Sequence, residues 1–422
     1  MRILIVNQRF WPAATGSERW LLAMAQRFAA DGHDVSVATT DGLEADFAAN
    51  PRAHRATPER EQVDGISIRR FALAHLPGSP LTFALWRYWL FPSLAALRLP
   101  PTWLAVLARW APGAPKLFNW LDHTSERFDL VLAANVLADG LAYAAGRLAR
   151  RCGARFVLTP FTHLGAGAVP GSDDVSRHYT LRHQRALVVS ADRVLAMTAT
   201  ERRFYLSAGA SAEAVHVVGA GIDTESIRSG DAARFRARAG LSGPIVVFLA
   251  PLHRDKGFPQ VVEAVERCRR AGVAVTLVAV GPEYPNSRAR LRALQAEQPD
   301  AVRVIPTLTE TEKRDLLAAA DILAMPSRTD SFGIVFLEAW AQGKPVLGST
   351  AWGMGDVITE GIDGLQVPFG DAAATTIALQ RLLADATLRQ RLGASGRART
   401  LAEHTWDRVY TRVCAACEVQ GR

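Results

Sequence analysis

The chain has 422 residues, of which 49% are hydrophobic and 21% charged, and its formal net charge is +8. This length predicts two domains, and this composition excludes a chain that is mainly disordered. No apolar run reaches the roughly 20 residues of a membrane-spanning helix, and the opening residues lack the features of a signal peptide. Four cysteines in so long a chain argue against a disulfide framework, so we expect a cytoplasmic protein.

Short apolar runs alternate with helical patterns through the first half of the chain. The predicted strands of this half lie at residues 2–7, 34–39, 128–133, 154–159 and 192–197. Apolar residues at a spacing of three to four predict a helix between the first two strands, and Gly32 is placed to end it. This β-α-β order is typical of a parallel sheet with helices packed on it.

The second half repeats the alternation. Its predicted strands lie at residues 244–250, 274–280, 301–305, 321–325 and 344–348. Two such halves, joined near residues 219–240, predict an α/β fold of two doubly wound Rossmann-like domains. Ligands of doubly wound sheets bind beyond the carboxyl ends of the strands, so we expect the site in a cleft between the two halves.

The segment from about residue 75 to 122 interrupts this pattern. It is apolar, contains several prolines, and holds Trp86, Trp89, Trp103, Trp110 and Trp120, which are half of the ten tryptophans. Tryptophan and arginine together suit a membrane interface, where one side is apolar and the other wet. The alternative is an insertion that packs on its own domain or on a partner subunit, and the sequence leaves both open.

Basic residues crowd the loop that follows the first predicted strand of the second half. His253, Arg254 and Lys256 lie there, and Lys256 is one of only four lysines. A diphosphate group would bind at such a position; the alternative is a solvated basic loop. Gly16, at a turn between strand and helix, would let backbone amides approach an anion, although a plain tight turn explains it equally well.

Two carboxylates, Asp330 and Glu338, lie eight residues apart around the start of a predicted helix. A carboxylate there can accept hydrogen bonds from sugar or ribose hydroxyls, while the helix start at Ser331, Phe332 and Gly333 offers amides to oxygens of phosphate or sugar. Glu338 stands in an otherwise apolar helix, where an unpartnered charge is costly. It therefore indicates a functional role, with a structural salt bridge as the alternative.

Together these features resemble the family-4 retaining glycosyltransferases of the GT-B fold. The resemblance covers nearly the whole chain and depends on short motifs in a fixed order. The residues that carry it are Pro12, Gly16, 32–35, 219–223, 256–257, 326–327, 332–333, 338–339, 343–346, 361–364 and 368–371. It implies an acceptor-side domain at 1–219, a nucleotide-sugar domain at 220–395, and a C-terminal helix, 396–422, that packs back on the first domain.

The resemblance also implies roles for individual residues. Lys256 matches the phosphate-binding lysine of the family, and Gly16 matches the glycine that closes over the donor phosphates. His163 resembles the cleft histidine near the transferred sugar; a core histidine is the alternative. Glu338 would hold the donor ribose, and Asp330 takes the place of a glutamate that holds sugar hydroxyls.

One departure from the family pattern concerns the phosphate loop. Ala250 and Pro251 replace the usual Gly-Arg pair. Arg254 or His253 would then supply the missing positive charge.

We therefore expect a retaining, metal-independent transfer of a hexose from a nucleoside diphosphate sugar to a glycan or lipid-linked acceptor, without a further cofactor. The Trp-rich segment would bring the protein to the inner face of the membrane. A non-catalytic carbohydrate-binding protein and a nucleotide-sugar epimerase on the same fold remain alternatives. Nucleic-acid binding is disfavoured because the basic residues are dispersed along the chain.

Overall fold

The computed structural model describes residues 1–13, 15–44, 46–97, 99–110 and 112–419. Its backbone contacts divide the chain into two compact units. The first unit comprises Met1–Thr162, Asp174–Val218 and the chain from Tyr410 onward. The second unit comprises His163–Asp173 and Gly219–Val409.

An eight-stranded sheet forms the first unit. Its strands are β1 (Arg2–Val6), β2 (Asp34–Thr40), β3 (Arg60–Val63), β4 (Ile66–Phe71), β5 (Leu130–Ala134), β6 (Arg155–Thr159), β7 (Arg193–Ala196) and β8 (Val215–Val217). They lie in the order β3-β4-β2-β1-β5-β6-β7-β8, and every neighbouring pair is parallel except β3 with β4. All five residues of β5 are buried, as expected of a strand covered on both faces.

In the part of the chain that the structure describes, eight α-helices precede Gly219 and accompany this sheet. They are α1 (Gly16–Ala30), α2 (Leu81–Ala84), α3 (Phe91–Ala96), α4 (Pro101–Leu107), α5 (Pro115–His123), α6 (Asp139–Cys152), α7 (Arg182–Val189) and α8 (Ala199–Ser207). The predicted first helix is present as α1, and the chain leaves it through Gly32, whose φ is +81°. Glycine adopts this left-handed conformation without the steric cost of a Cβ atom.

A six-stranded parallel sheet forms the second unit. Its strands are β9 (Ile245–Leu249), β10 (Thr276–Val280), β11 (Val302–Ile305), β12 (Ile322–Ala324), β13 (Val346–Ser349) and β14 (Gly364–Val367). They lie in the order β11-β10-β9-β12-β13-β14. From β9 the chain winds outward to β10 and β11, and then returns to β12 on the other side. The strand order therefore reverses between β9 and β12, which is where ligands of doubly wound sheets bind.

Eight helices pack around the second sheet. They are α9 (Thr224–Ile227), α10 (Ala232–Ala239), α11 (Phe258–Arg270), α12 (Pro285–Glu297), α13 (Glu310–Ala319), α14 (Ile334–Ala341), α15 (Ala372–Ala384) and α16 (Ala386–Glu403). Thr309 and Glu312 form a capping box at the start of α13, each side chain bonding to the other's backbone amide. The two sheets confirm the predicted α/β class with two doubly wound domains.

The chain returns to the first unit later than the sequence placed it. The expected boundary at residue 396 falls inside α16, where Gly396 lies so close to the Trp340 indole that a Cβ atom would come within 2.1 Å of it. This contact holds that part of the chain in the second unit. The last helix, α17 (Trp406–Cys417), spans the change of unit, and the Tyr410 hydroxyl donates to Asp31 of the first unit at 2.8 Å. The division near residue 219 lies between Val218 and Gly219.

The Trp-rich segment folds into the short helices α2 to α5, with a π-helical turn at Leu85–Leu90. One side of it packs through a small cluster made by Phe91, Ala95, Leu104 and Ala108. The tryptophans Trp89, Trp103 and Trp110 are exposed. Within the described residues, no helix combines the length and the apolar character needed to cross a membrane.

Candidate active site

The loop after β9 brings Lys256 to the carboxyl end of the second sheet. A short 3₁₀ turn, Arg254–Lys256, leads into Gly257, whose φ is +81°. A Cβ atom at Gly257 would lie 2.4 Å from the carbonyl oxygen of Pro326, in the loop after β12. Only glycine allows the two loops to approach this closely, so Gly257 fixes the position of the lysine beside the next loop.

The Lys256 ammonium is held by two oxygens of the loop after β12. Its Nζ donates to the carbonyl oxygen of Thr329 at 3.0 Å and to Oδ1 of Asp330 at 2.9 Å. An ammonium group has three N–H donors, so these contacts leave one for a ligand. The structure thus brings together Lys256 and Asp330, which the sequence assigned to different parts of the substrate.

Asp330 is ionised and has acceptor capacity in reserve. Burial disfavours its charged form, but the Lys256 ammonium, assisted by the Ser327 hydroxyl, outweighs this and holds the pKa of Asp330 below its ordinary value. Its Oδ2 is buried, and no described donor meets hydrogen-bond geometry with it. A hydroxyl group arriving at this atom would satisfy an oxygen that the fold leaves without a donor.

His163 belongs to the second unit although it follows a strand of the first in sequence. Its segment is attached there by Trp352, whose backbone amide donates to Gly165 at 2.8 Å and whose indole donates to Gly167 at 2.8 Å. Burial, reinforced by the charge of Lys256 and opposed by Asp330, lowers the pKa of His163 to about 3. His163 is therefore a neutral imidazole within the electrostatic reach of the Lys256–Asp330 pair.

Arg254 and His253 flank this pair on the same loop. The His253 ring accepts from the amide of Asp255 at 3.2 Å and packs edge-on against Tyr284, with ring centroids 5.0 Å apart. The Arg254 side chain is exposed, and no described residue forms an ion pair with it. Of the two candidates for the missing positive charge, Arg254 has the freedom to reach an anion.

Arg328 is a further residue beside this pair that the sequence did not single out. Its guanidinium donates twice to Oδ1 of Asp255, at 2.9 and 2.7 Å, and lies 3.6 Å from Asp173. It also stacks over the ring of Phe369 at 5.0 Å. It thereby ties the Lys256 loop to the segment that ends at Asp173 and begins at His163. The only sequence feature that pointed to Arg328 is its position two residues before Asp330.

Glu338 is buried in α14 and forms an ion pair with Lys313 of α13, with Nζ 2.6 Å from Oε1. The same ammonium lies 2.7 Å from Glu310. This is the structural salt bridge that the sequence kept as the alternative for Glu338. The pair explains how the apolar helix accommodates the charge; the ribose-binding role stays a prediction.

The three residues predicted to begin the helix, Ser331, Phe332 and Gly333, directly precede α14, which starts at Ile334. Gly333 caps the helix with φ +85°, and a Cβ atom on it would lie 2.9 Å from the Phe336 ring. Phe332 packs against His404, with ring centroids 5.4 Å apart, and Ser331 is half-buried. The first amides of α14 have no partner within the helix, so they can serve an anion or a sugar oxygen.

Gly16 lies in the first unit, as the first residue of α1. The preceding Thr15 hydroxyl contacts Glu18, which is buried and lies 3.3 Å from the Arg9 guanidinium. This turn is therefore fixed by side-chain contacts within the first unit. The role of Gly16 at the donor phosphates stays a prediction.

A metal site requires several acidic, histidine or cysteine side chains that converge on one point. In the described part of the chain, no group of three or more of them is placed to hold a metal ion. Metal independence stays a prediction that a chelator tests.

Known families and proteins match this chain along most of its length. Residues 14–226 match the family model described as Glycosyltransferase Family 4, and residues 231–399 match that described as Glycosyl transferases group 1. The chain is 31% identical over 315 residues to D-inositol 3-phosphate glycosyltransferase of Frankia alni, covering 71% of this chain and 75% of that protein. Alpha-maltose-1-phosphate synthase of Mycobacterium tuberculosis is 30% identical over 256 residues, 55% of this chain and 66% of that protein.

The fold has a close counterpart among solved structures. Anabaena HepE, solved in complex with UDP-glucose, superposes with a TM-score of 0.72 at 17% identity, over 100% of both chains. The motif order, the two doubly wound sheets and the matching family models agree with one another. The chain belongs to glycosyltransferase family 4 and has the GT-B fold.

Proposed function

We propose that this glycosyltransferase moves a hexose from a nucleoside diphosphate sugar to an acceptor hydroxyl with retention of configuration. One observation carries the proposal: Lys256 and Asp330 are paired at 2.9 Å beyond the carboxyl ends of β9 and β12. A cation for a diphosphate and a carboxylate for a sugar thus lie side by side at the strand reversal of the second sheet. HepE, with the same fold, was solved with UDP-glucose.

The leaving group defines the role of Lys256. When the bond between the anomeric carbon and the phosphate oxygen breaks, its electron pair departs with the diphosphate. The third N–H of Lys256 and the amides at the start of α14 would stabilise this charge without prior rearrangement. Such preorganised donors act most strongly on charge that develops in the transition state. Arg254 adds a mobile positive charge from the same loop.

The sugar would be positioned by Asp330 and His163. Oδ2 of Asp330 is a buried acceptor awaiting a hydroxyl, and the adjacent imidazole is neutral, so it can donate through one nitrogen and accept through the other. Neither group needs to change its protonation state to bind a hydroxyl near neutral pH. Glu338, fixed by Lys313, would hold the ribose of the donor.

The acceptor would be a lipid-linked or cell-surface glycan precursor, met at the inner face of the membrane and used in polysaccharide biosynthesis. The exposed tryptophans of the 75–122 segment support this choice. Tryptophan is favoured at membrane interfaces because its ring is apolar while its N–H reaches water.

A two-stage experiment tests the proposal. Thermal unfolding is first measured with nucleoside diphosphates and their sugars, and we expect the matching donor to raise Tm by mass action. The stabilising donor is then incubated alone and with candidate acceptors. Transfer or slow hydrolysis with a retained anomeric product supports the proposal. Conversion of the donor to an epimer without acceptor would refute it, as would donor binding with no turnover under any condition.

A further inference from the structure

A basic pocket lies in the first unit, away from every residue assigned above. Its volume is about 260 Å³. The strands β3 and β4 form one wall and α5 forms the other. Four basic side chains line it, namely Arg60, Arg69, Arg70 and Lys116, together with the rings of Phe71 and Trp120 and the carboxylate of Glu59.

The cations of this pocket differ in how far the protein neutralises them. The Arg70 guanidinium is engaged by the carbonyl oxygens of Pro58 and Trp11 and by Glu61 at 2.6 Å. Arg69 stacks over Trp120 at 5.3 Å. It also lies 3.6 Å from Glu126.

Arg60 and Lys116 are different. Both side chains are exposed, and no described acidic residue pairs with either. The pocket therefore presents two cations that form no ion pair with a described acid, beside an aromatic wall, with the exposed Glu59 as its acidic lining residue. Such a combination suits a phosphoryl group carried on a larger ligand.

The pocket adjoins the exposed tryptophans of the Trp-rich segment. Gly113 forms bridges to both Ala74 and Trp110, and the amide of Ala74 donates to its carbonyl oxygen at 2.8 Å. Ala74 is two residues from the pocket residue Ala72, and Gly113 is three from Lys116. A few residues of chain span at most about 10 Å, so Trp110 lies close to the pocket.

The apolar surface beside the pocket is large and held in place. Trp89, Trp103 and Trp110 are 73%, 64% and 59% exposed, and leucines at 81, 85 and 97 are exposed with them. The buried Arg87 side chain anchors the segment to the first unit, because its guanidinium lies 3.4 Å from the Asp139 carboxylate. So many large exposed apolar side chains within one fixed segment indicate a surface that is covered in use.

Charge identifies what covers it. No Asp or Glu occurs between Asp64 and Asp122, and the described arginines of this stretch pair with acids from outside it, which leaves Lys116 as its unpaired described cation. A surface of tryptophan and leucine beside the cations Arg60 and Lys116 complements an anionic membrane, in which tryptophan lies at the interface and basic groups meet phosphates. A surface that binds a protein partner more commonly carries charges of both signs. This patch supplies no negative charge.

We propose that the pocket at Arg60, Lys116 and Trp120 binds the phosphate of an anionic lipid headgroup while Trp89, Trp103 and Trp110 enter the membrane interface. The inference rests on the proposed function in one respect, since a membrane-borne acceptor gives the docking its purpose. Binding of the headgroup would fix the first unit on the bilayer through two adjacent contacts, one apolar and one ionic.

The experiment measures co-sedimentation of the full chain with vesicles of phosphatidylcholine, with and without phosphatidylglycerol. The pocket variant is Arg60→Ala with Lys116→Ala, and its matched control is Arg150→Ala with Arg292→Ala, which removes two exposed arginines elsewhere. Each basic side chain near an anionic surface is worth about a fivefold change in binding, so the pocket variant should bind phosphatidylglycerol vesicles about 25-fold more weakly. The control should bind like the unmodified chain.

A second variant separates the apolar contact from the ionic one. Trp89→Ser with Trp103→Ser should weaken binding to both kinds of vesicle, because exposed tryptophans act independently of lipid charge. All four tested side chains are exposed, and thermal unfolding verifies that each variant is folded.

Three outcomes would overturn the inference. Unchanged vesicle binding by the pocket variant would refute the headgroup site. Binding of inorganic phosphate or glycerol phosphate by the unmodified chain without binding of vesicles would show that the pocket takes a soluble phosphate. Equal losses in the pocket variant and its control would show a diffuse charge effect. Donor turnover without vesicles is measured in parallel: its absence would refute the proposed function alone and would leave the headgroup site standing.

Discussion

Replacing Lys256 by alanine removes the positive charge placed for the leaving diphosphate. The Lys256 side chain is 21% exposed, and its ammonium is held in position by Thr329 and Asp330. Loss of one preorganised donor of this kind costs about 10²- to 10³-fold in kcat, or roughly 3–4 kcal/mol of transition-state stabilisation. We therefore expect at least a 10²-fold lower kcat in a transfer assay at saturating donor.

The same substitution also affects the resting protein. Without the ammonium, Asp330 keeps its buried carboxylate but loses the cation that lowers its pKa, so that pKa should rise. Leaving a buried charged acceptor without its partner costs about 1–3 kcal/mol of folding stability. The double variant Lys256→Met with Asp330→Asn removes both charges and should recover most of this stability while staying inactive.

Three variants together test the role of Lys256. If Lys256→Ala retained turnover within about threefold of the unmodified enzyme, the diphosphate assignment would be wrong, since cleavage of the C–O bond to the leaving diphosphate would then proceed without its principal cation. If activity and stability both returned in the double variant, the lysine would serve folding alone. Arg292→Ala, which removes an exposed cation of the same unit, should leave both quantities unchanged.

Four further outcomes are expected. Asp330→Glu should keep kcat within about tenfold but change which hexose is preferred, as initial rates with several donors would show, because the carboxylate moves by one methylene; identical preference would contradict its sugar contact. Gly257→Ala should lower the unfolding free energy in urea by more than Gly240→Ala, since both have positive φ but only Gly257 lies against another backbone segment. His163 stays neutral with its pKa near 3, whereas an unfolded histidine titrates near 6.5. Stability should therefore fall as pH drops from about 6.5 toward 3, because the unfolded state binds the extra proton there, and His163→Asn should flatten this slope in urea unfolding at several pH values. Glu338→Gln should raise KM for the donor more than it lowers kcat if the carboxylate holds the ribose, and an unchanged KM would leave only its salt bridge.

The elements that the sequence predicted well are those governed by local patterns. Strands buried on both faces appear in the sequence as short apolar runs, and β5 and β9 are such runs, buried along nearly their whole length. Gly257 entered the sequence analysis only as part of the motif at 256–257, and its close approach to Pro326 became visible in the structure. Repetition of this pattern in both halves was sufficient to predict two doubly wound sheets.

What the sequence could not show are contacts between residues distant along the chain. The partner of Glu338 is Lys313, twenty-five positions earlier and on another helix. Arg328 reaches both Asp255 and Asp173, a convergence that no spacing encodes. The affiliation of the 163–173 segment with the second unit likewise follows from its packing against Trp352.

The two interpretations of the Trp-rich segment prove to be compatible once its geometry is considered. In a helix that is apolar on every side, one face can pack against the protein while the opposite face stays exposed. Phe91 and Leu104 are fully buried on the inner side, and Trp89 and Trp103 are exposed on the outer side. Sequence periodicity distinguishes apolar from polar faces, so it fails where both faces are apolar. The burial of Arg87 against Asp139 anchors the segment by charge, so its outer aromatic residues are not needed for that attachment.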